Sequence, residues 1–262
     1  MAMRSFLCIL IILGLVACAP QAASGDQQLT VFAASSLTEA FEELAAAFEA
    51  EHPGTEVLLN YGASSTLATQ LVEGAPADVF ASANQAQMQL VKDARLLPGE
   101  PFAFATNRLI IILPADNPAA IQTPADLAQP GLKLVLAAPG VPVREYSDLV
   151  IANLGDADYQ AAVYANLVSE EENVRIVVAK VALGEADAGI VYASDVSPVA
   201  TDLLQIAIPD DANVVAAYPI AVLADTPQPV LAQAFVDFVL STEGQAILQT
   251  WGFEQATNIS GQ

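Results

Sequence analysis

A chain of 262 residues has room for one large or two modest domains, and 54% hydrophobic residues are enough for a substantial core. Asp and Glu number 30 against 8 Lys and Arg, a formal net charge of −22; such a surface repels phosphate backbones, which excludes nucleic acid as a partner. The same surplus says little about a closed pocket, because surface charge is screened over roughly 8 Å at physiological salt.

The first residues read as an export signal. Arg4 supplies a positive n-region, and Phe6 to Val16 is an apolar h-region too short to span a bilayer comfortably. It ends in Leu15-Val16-Ala17-Cys18, which resembles the bacterial lipobox. That resemblance implies removal of residues 1–17 as a lipoprotein signal peptide and lipid attachment at Cys18. An ordinary secretory signal cleaved near Ala17 is the alternative. Ala19 to Gln28 is small and polar, so residues 18–28 read as the lipidated Cys and a flexible tether. Cys8 lies in the leader and Cys18 carries the lipid, so no thiol is left for a disulfide. The protein is expected outside the cytoplasm, in the periplasm or on the outer face of the cytoplasmic membrane.

From Leu29 onward, short apolar runs alternate with amphipathic stretches. Leu29 to Ala34 reads as a strand. A helix follows from about Leu37 to Glu51, with Leu37, Phe41, Leu44 and Phe48 on one face, and His52-Pro53-Gly54 stops it. Next come a strand over Glu56 to Tyr61, a helix over Ser65 to Val72, a short strand over Asp78 to Ser82 and a helix over Gln85 to Lys92. Pro101 to Thr106, Leu109 to Leu113 and Leu132 to Ala137 are β-like, and Arg144 to Leu154, Asp158 to Leu167 and Val174 to Leu183 look helical. Ala188 to Tyr192 is a buried strand, Tyr218 to Leu223 another, and two helices near Leu231 to Val239 and Glu243 to Thr250 close the chain. Strand and helix at this rhythm predict α/β units with a mostly parallel sheet flanked by helices. Two such units fit, the second inserted into the first, with crossings near Thr106 and Gln205: residues 29–106 plus 206–262 form lobe 1 and 107–205 form lobe 2.

The sequence offers little to an enzyme. Its one histidine, His52, sits in the helix terminator, and no Cys is left in the mature domain for thiol catalysis or a Cys/His metal site. Neither G-x-x-x-x-G-K-[ST] nor G-x-S-x-G occurs. What remains are two hydroxyl-rich loops, Ala34-Ser35-Ser36-Leu37-Thr38-Glu39 after the first strand and Gly62-Ala63-Ser64-Ser65-Thr66 after the second. Ser36 with Glu39 fits a capping box, which is the purely structural reading of that segment. The functional reading is a ligand site: an α/β sheet binds ligands at the carboxyl ends of its strands, where helix starts present free N–H groups. A cage of neutral N–H and O–H donors suits a fully ionised oxyanion, which only accepts hydrogen bonds.

Several blocks together resemble the periplasmic molybdate-binding proteins of ABC importers. They are Val31 to Thr38, Gly62 to Ala68, Gly74 to Ala83, Val141-Pro142-Val143, Glu172 to Arg175, Ala188 to Asp195, Tyr218 to Val222 and Trp251-Gly252-Phe253. They occur in order over about residues 29–255. The resemblance implies two α/β lobes joined by a hinge, the periplasmic-binding-protein fold, with the anion in the cleft between them. Carried over, Ser36 and Ser64 each donate a hydroxyl and a backbone N–H from the first lobe. Val143 and Val174 offer backbone N–H groups at helix starts of the second, and Tyr192 its phenolic O–H near the hinge. Ser35 and Ser65 are the neighbouring alternatives. No catalytic residue, cofactor or cation ligand is implied; the ligand is molybdate or tungstate, and the partners are an ABC permease and its ATPase subunit. A monomer is the default for a receptor that opens and closes.

One position departs from the pattern. Arg144, followed by Glu145, stands where these proteins usually have glycine. Pairing with Glu145 or Asp148 on the helix surface is one reading; a charge beside the anion that alters selectivity is the other. The competing functions are a receptor for another oxyanion, such as sulfate or phosphate, and a surface hydrolase or adhesin. A hydrolase would need a general base beside one of the serines.

Overall fold

A computed structural model describes residues 27–196 and 203–256. The leader, the proposed lipid site at Cys18 and most of the tether lie outside the described residues. In chain order the elements are β1 (Gln27–Ala34), α1 (Thr38–Glu51), β2 (Thr55–Gly62), α2 (Ser64–Val72), β3 (Val79–Ala81) and α3 (Gln85–Asp93). Then come β4 (Phe102–Pro114), β5 (Leu134–Ala137), α4 (Pro142–Leu154), α5 (Ala157–Ala165), β6 (Leu167–Glu171), α6 (Val174–Ala182) and β7 (Ala188–Tyr192). The last are β8 (Leu203–Ala207), β9 (Val215–Val222), α7 (Pro229–Leu240), α8 (Thr242–Thr250) and β10 (Glu254–Gln255).

The strands run in the order β2-β1-β3-β9-β4-β7-β5-β6, with β8 and β10 also paired to β4. At one end β1 lies parallel to both β2 and β3; at the other, β5 lies parallel to both β6 and β7. The long strand β4 and its antiparallel neighbours join these two groups. It pairs with β9 from Phe102 to Arg108 and with β7 from Leu109 to Ile112. The result is the two-lobed, mixed α/β architecture that the resemblance implies, parallel at its two ends and antiparallel through β9 and β4 between them. The sequence reads β4 as two runs because the polar pair Asn107-Arg108 interrupts it; the strand is continuous there and changes partners at that point.

Packing follows the sequence stripes. Leu37, Phe41, Leu44 and Phe48 are all fully buried, and Phe41 and Phe48 meet Phe235 of α7 edge to face. In the other lobe, Val177 and Val181 of α6 lie over β7 and β5. Gly189 permits that approach, since a Cβ there would stand 2.8 Å from Val177 Cγ1. At the junction, Tyr218 of β9 packs against Tyr192, Phe104 and Phe253. Three strands escape the sequence reading, the two-residue β10 (Glu254–Gln255) among them. Leu167–Glu171, partly assigned to the end of a helix, is an edge strand whose polar Ser-Glu-Glu half hides its β character, and Leu203–Ala207 pairs with β4.

Candidate functional site

Parallel strands place their carboxyl ends together, and the helices that follow begin there. β1 ends at Ala34 and leads into a 3-10 turn over Ser35–Leu37; β2 ends at Gly62, one residue before α2. On the other side, β5 and β6 lead to the starts of α4 and α6, and β7 ends at Tyr192. Ser36, Ser64, Val143, Val174 and Tyr192 consequently line one cavity, although they come from five places in the chain. Ser35 borders the same cavity. Ser65 is not among the lining residues and is half-buried on α2.

The cavity is about 10 Å³, far below the roughly 300–1,000 Å³ of pockets that take drug-sized organic molecules. That is room for about one water-sized group, so the cleft as it stands excludes organic ligands. Every side chain that lines it is uncharged. Neither α2 nor α4 has a side-chain cap, which leaves first-turn N–H groups of Ser64 and Val143 without an intrahelical acceptor. The capping box read for Ser36 and Glu39 does not form. The Ser36 hydroxyl instead meets the Tyr218 hydroxyl at 3.1 Å, and Glu39 pairs with Arg175, far along the chain. Ser64 Oγ accepts a hydrogen bond from Ala83 N–H at 2.9 Å, so its own proton is free for the cavity. Tyr192 Oη is buried and has no protein hydrogen-bond partner. Burial holds its phenol well above the usual tyrosine range, so it remains a donor.

Charges surround this cage without entering it. Glu39 and Arg175 form an ion pair from one lobe to the other, and Asn84 Nδ2 donates to Glu145 Oε2 across the cleft at 2.7 Å. Behind Tyr192, Asp195 Oδ2 accepts the Tyr192 N–H, while Oδ1 is buried and unpartnered. Burial pushes the Asp195 carboxyl up from 3.8 to about 7, despite the opposing pull of Arg175.

Arg144 faces away from the cavity and is buried. Its Nε donates to Asp148 at 2.8 Å and its Nη1 to Glu170 and to the Ala137 carbonyl, with the guanidinium over the Tyr164 ring. Of the two partners considered, Glu145 is not engaged, whereas Asp148 is, in a pair whose guanidinium is buried and whose carboxylate is exposed. Sequence reasoning passed over Asn84, whose position before a helix is a legible N-cap signal, and Ala83, a backbone donor with no side-chain signature.

Among the described residues no group of His, Cys, Asp or Glu could hold a metal ion, and no helix is long and apolar enough to cross a membrane. A groove of about 500 Å³ lies elsewhere, beside Asp78, but both Asp78 oxygens are already engaged by Thr30 N–H and the Thr226 hydroxyl.

Residues 29–254 match the family model described as bacterial extracellular solute-binding protein. The chain belongs to this family. As a solute-binding protein it works outside the cytoplasm and binds its ligand without converting it. Molybdate-binding protein ModA of Mycobacterium tuberculosis is 43% identical over 93% of this chain and 94% of its own length. Among solved structures, the periplasmic molybdate-binding protein of Azotobacter vinelandii aligns with a TM-score of 0.77 and 23% identity, over 87% of this chain and 100% of that one. The sulfate-binding protein SubI of M. tuberculosis aligns with a TM-score of 0.80 and 18% identity, over 88% of each chain. At those identities the two structures attest the shared fold.

Proposed function

We propose that this solute-binding protein captures molybdate, with tungstate as an equivalent ligand, and delivers it to an ABC importer. The carrying observation is the small cavity lined only by uncharged groups, in a chain 43% identical to a protein named for molybdate binding. Ser36 and Ser64 donate hydroxyl and backbone N–H groups, Val143 and Val174 backbone N–H groups, and Tyr192 its phenolic O–H. The first two belong to lobe 1 (29–106 with 206–262) and the rest to lobe 2 (107–205). The ion therefore reaches its full set of donors only when the lobes are closed, and it shifts the population toward closure. A lipid at Cys18 keeps the receptor beside its permease and ATPase subunit.

Thermal unfolding with molybdate, tungstate, sulfate and phosphate at equal concentration tests this reading. A ligand that binds only the folded state, at a thousandfold excess over Kd, adds about 4 kcal/mol, or roughly 8–16 °C for a domain of this size. Molybdate and tungstate are expected to give that rise and sulfate and phosphate little. A large shift with sulfate alone would reassign the ligand, and no shift with any of the four would refute the oxyanion reading.

A further inference from the structure

The two cleft serines differ in what stands behind them. Each hydroxyl has one proton to give and lone pairs to receive with. Behind Ser64 is the Ala83 N–H, which can only donate, so the Ser64 proton is left for the cavity. Behind Ser36 is the Tyr218 phenol at 3.1 Å, a group that can donate or accept. Tyr218 is fully buried on β9, and the Asn107 side chain lies beside its hydroxyl. Asn107 Oδ1 already accepts Arg108 N–H at 2.9 Å, and Nδ2 donates to Ser194 Oγ at 2.7 Å. The second Nδ2 proton is the group Asn107 has left to offer the Tyr218 oxygen. A phenol oxygen that receives a proton from Asn107 still has its own to give, and the Ser36 hydroxyl at 3.1 Å is the partner within its reach. Burial keeps that phenol protonated. The opposite direction would turn Ser36 lone pairs toward an ion that only accepts.

We infer that Tyr218 is a positioning residue that locks the Ser36 hydroxyl as a donor toward the cleft, and thereby selects fully ionised oxyanions over protonated ones; this rests on the oxyanion reading of the cleft. With Ser64 backed by a donating backbone amide and Ser36 by a donating phenol, each serine keeps its proton for the ligand and neither is turned to present only lone pairs to it. Hydrogen phosphate then finds no dedicated acceptor for its proton. Without the Tyr218 hydroxyl, Ser36 is free to turn and accept.

The test is calorimetric titration of molybdate and phosphate into wild type, Tyr218→Phe, Ser36→Ala and the double variant. Tyr218→Phe is expected to weaken molybdate about tenfold, the scale of one hydrogen bond to a charged group. In the Ser36→Ala background the same change should add less than about twofold, because residues acting through one another are not additive. The ratio of phosphate to molybdate affinity should also rise in Tyr218→Phe. Losses that multiply in the double variant, or a Tyr218→Phe protein with wild-type affinities, overturn the inference. Wild-type protein that binds no oxyanion overturns the oxyanion reading as well, which separates the two failures. Unfolding midpoints of the ligand-free variants check that each is folded. Neutron diffraction from wild-type crystals with molybdate gives a readout that needs no variant: the Tyr218 hydroxyl hydrogen should point at Ser36 Oγ, and a Ser36 hydrogen pointing at Tyr218 refutes the proposal.

Discussion

Val143 and Arg144 are consecutive residues in the first turn of α4, yet they border opposite kinds of surroundings. Val143 edges a cavity with no charged side chain, whereas the Arg144 guanidinium lies among two carboxylates, a carbonyl and the Tyr164 ring. A cation in the cleft would attract any anion and distinguish poorly between their protonation states. Neutral donors held by helix starts discriminate by number and direction instead. Charge in this chain holds structure together and frames the cleft, while the cavity itself is lined by uncharged groups.

Charging the neutral region is the strongest way to break that contrast. Asp195, directly behind Tyr192, has a folded-state pKa of about 7 against 3.8 in an ordinary setting. The folded protein holds a proton there that the unfolded chain releases. This contribution to stability is full below about pH 4 and is lost as pH rises to about 7, at up to about 1.4 kcal/mol per pH unit. Asp195→Asn should remove that slope, as denaturant titrations between pH 4 and 8 would reveal; an unchanged slope would mean that Asp195 is ionised throughout.

Ser64→Ala takes a donor from the cage and leaves the Ala83 N–H without its acceptor. Molybdate affinity should fall on the order of 10–100-fold, about 1.5–3 kcal/mol, by calorimetry. Wild-type affinity in this variant would remove Ser64 from the site. Arg144→Ala sharpens the comparison from the other side. It should cost about 2 kcal/mol of stability, less than breaking a fully buried pair, because Asp148 and Glu170 are 44% and 43% exposed. Its molybdate affinity should stay within about threefold of wild type; a larger loss would show that the guanidinium acts on the ion. The smallest effect belongs to the cleft rim. Glu145→Ala removes the link to Asn84 and should speed molybdate release two- to fivefold in stopped flow, about 0.5–1 kcal/mol, with the association rate nearly unchanged.

The two halves of the cleft were unequally legible in the sequence. Ser36 and Ser64 stand out because hydroxyls at strand ends are a side-chain signal. Val143 and Val174 line the cavity with no side-chain signature of a donor, because the group proposed to bind is the backbone amide, so only the resemblance points to them. The stripe Leu37, Phe41, Leu44 and Phe48 foretells a buried helix face because its spacing is local. Glu39 misled for the opposite reason: the capping geometry was available three residues away, but its partner is Arg175, which only the tertiary fold brings near. Arg144 likewise has one local partner, Asp148, and one on β6, Glu170, that no helical spacing reveals. β6 itself was hidden because an edge strand needs few apolar residues.

A crystal structure grown with molybdate tests the neutral-cage account most directly. The ion should lie between the lobes, its oxygens within hydrogen-bonding distance of Ser36, Ser64, the Val143 and Val174 amides and Tyr192 Oη, with Arg144 still bound to Asp148 and Glu170. An ion held by the Arg144 or Arg175 guanidinium, or bound away from these five residues, would contradict it.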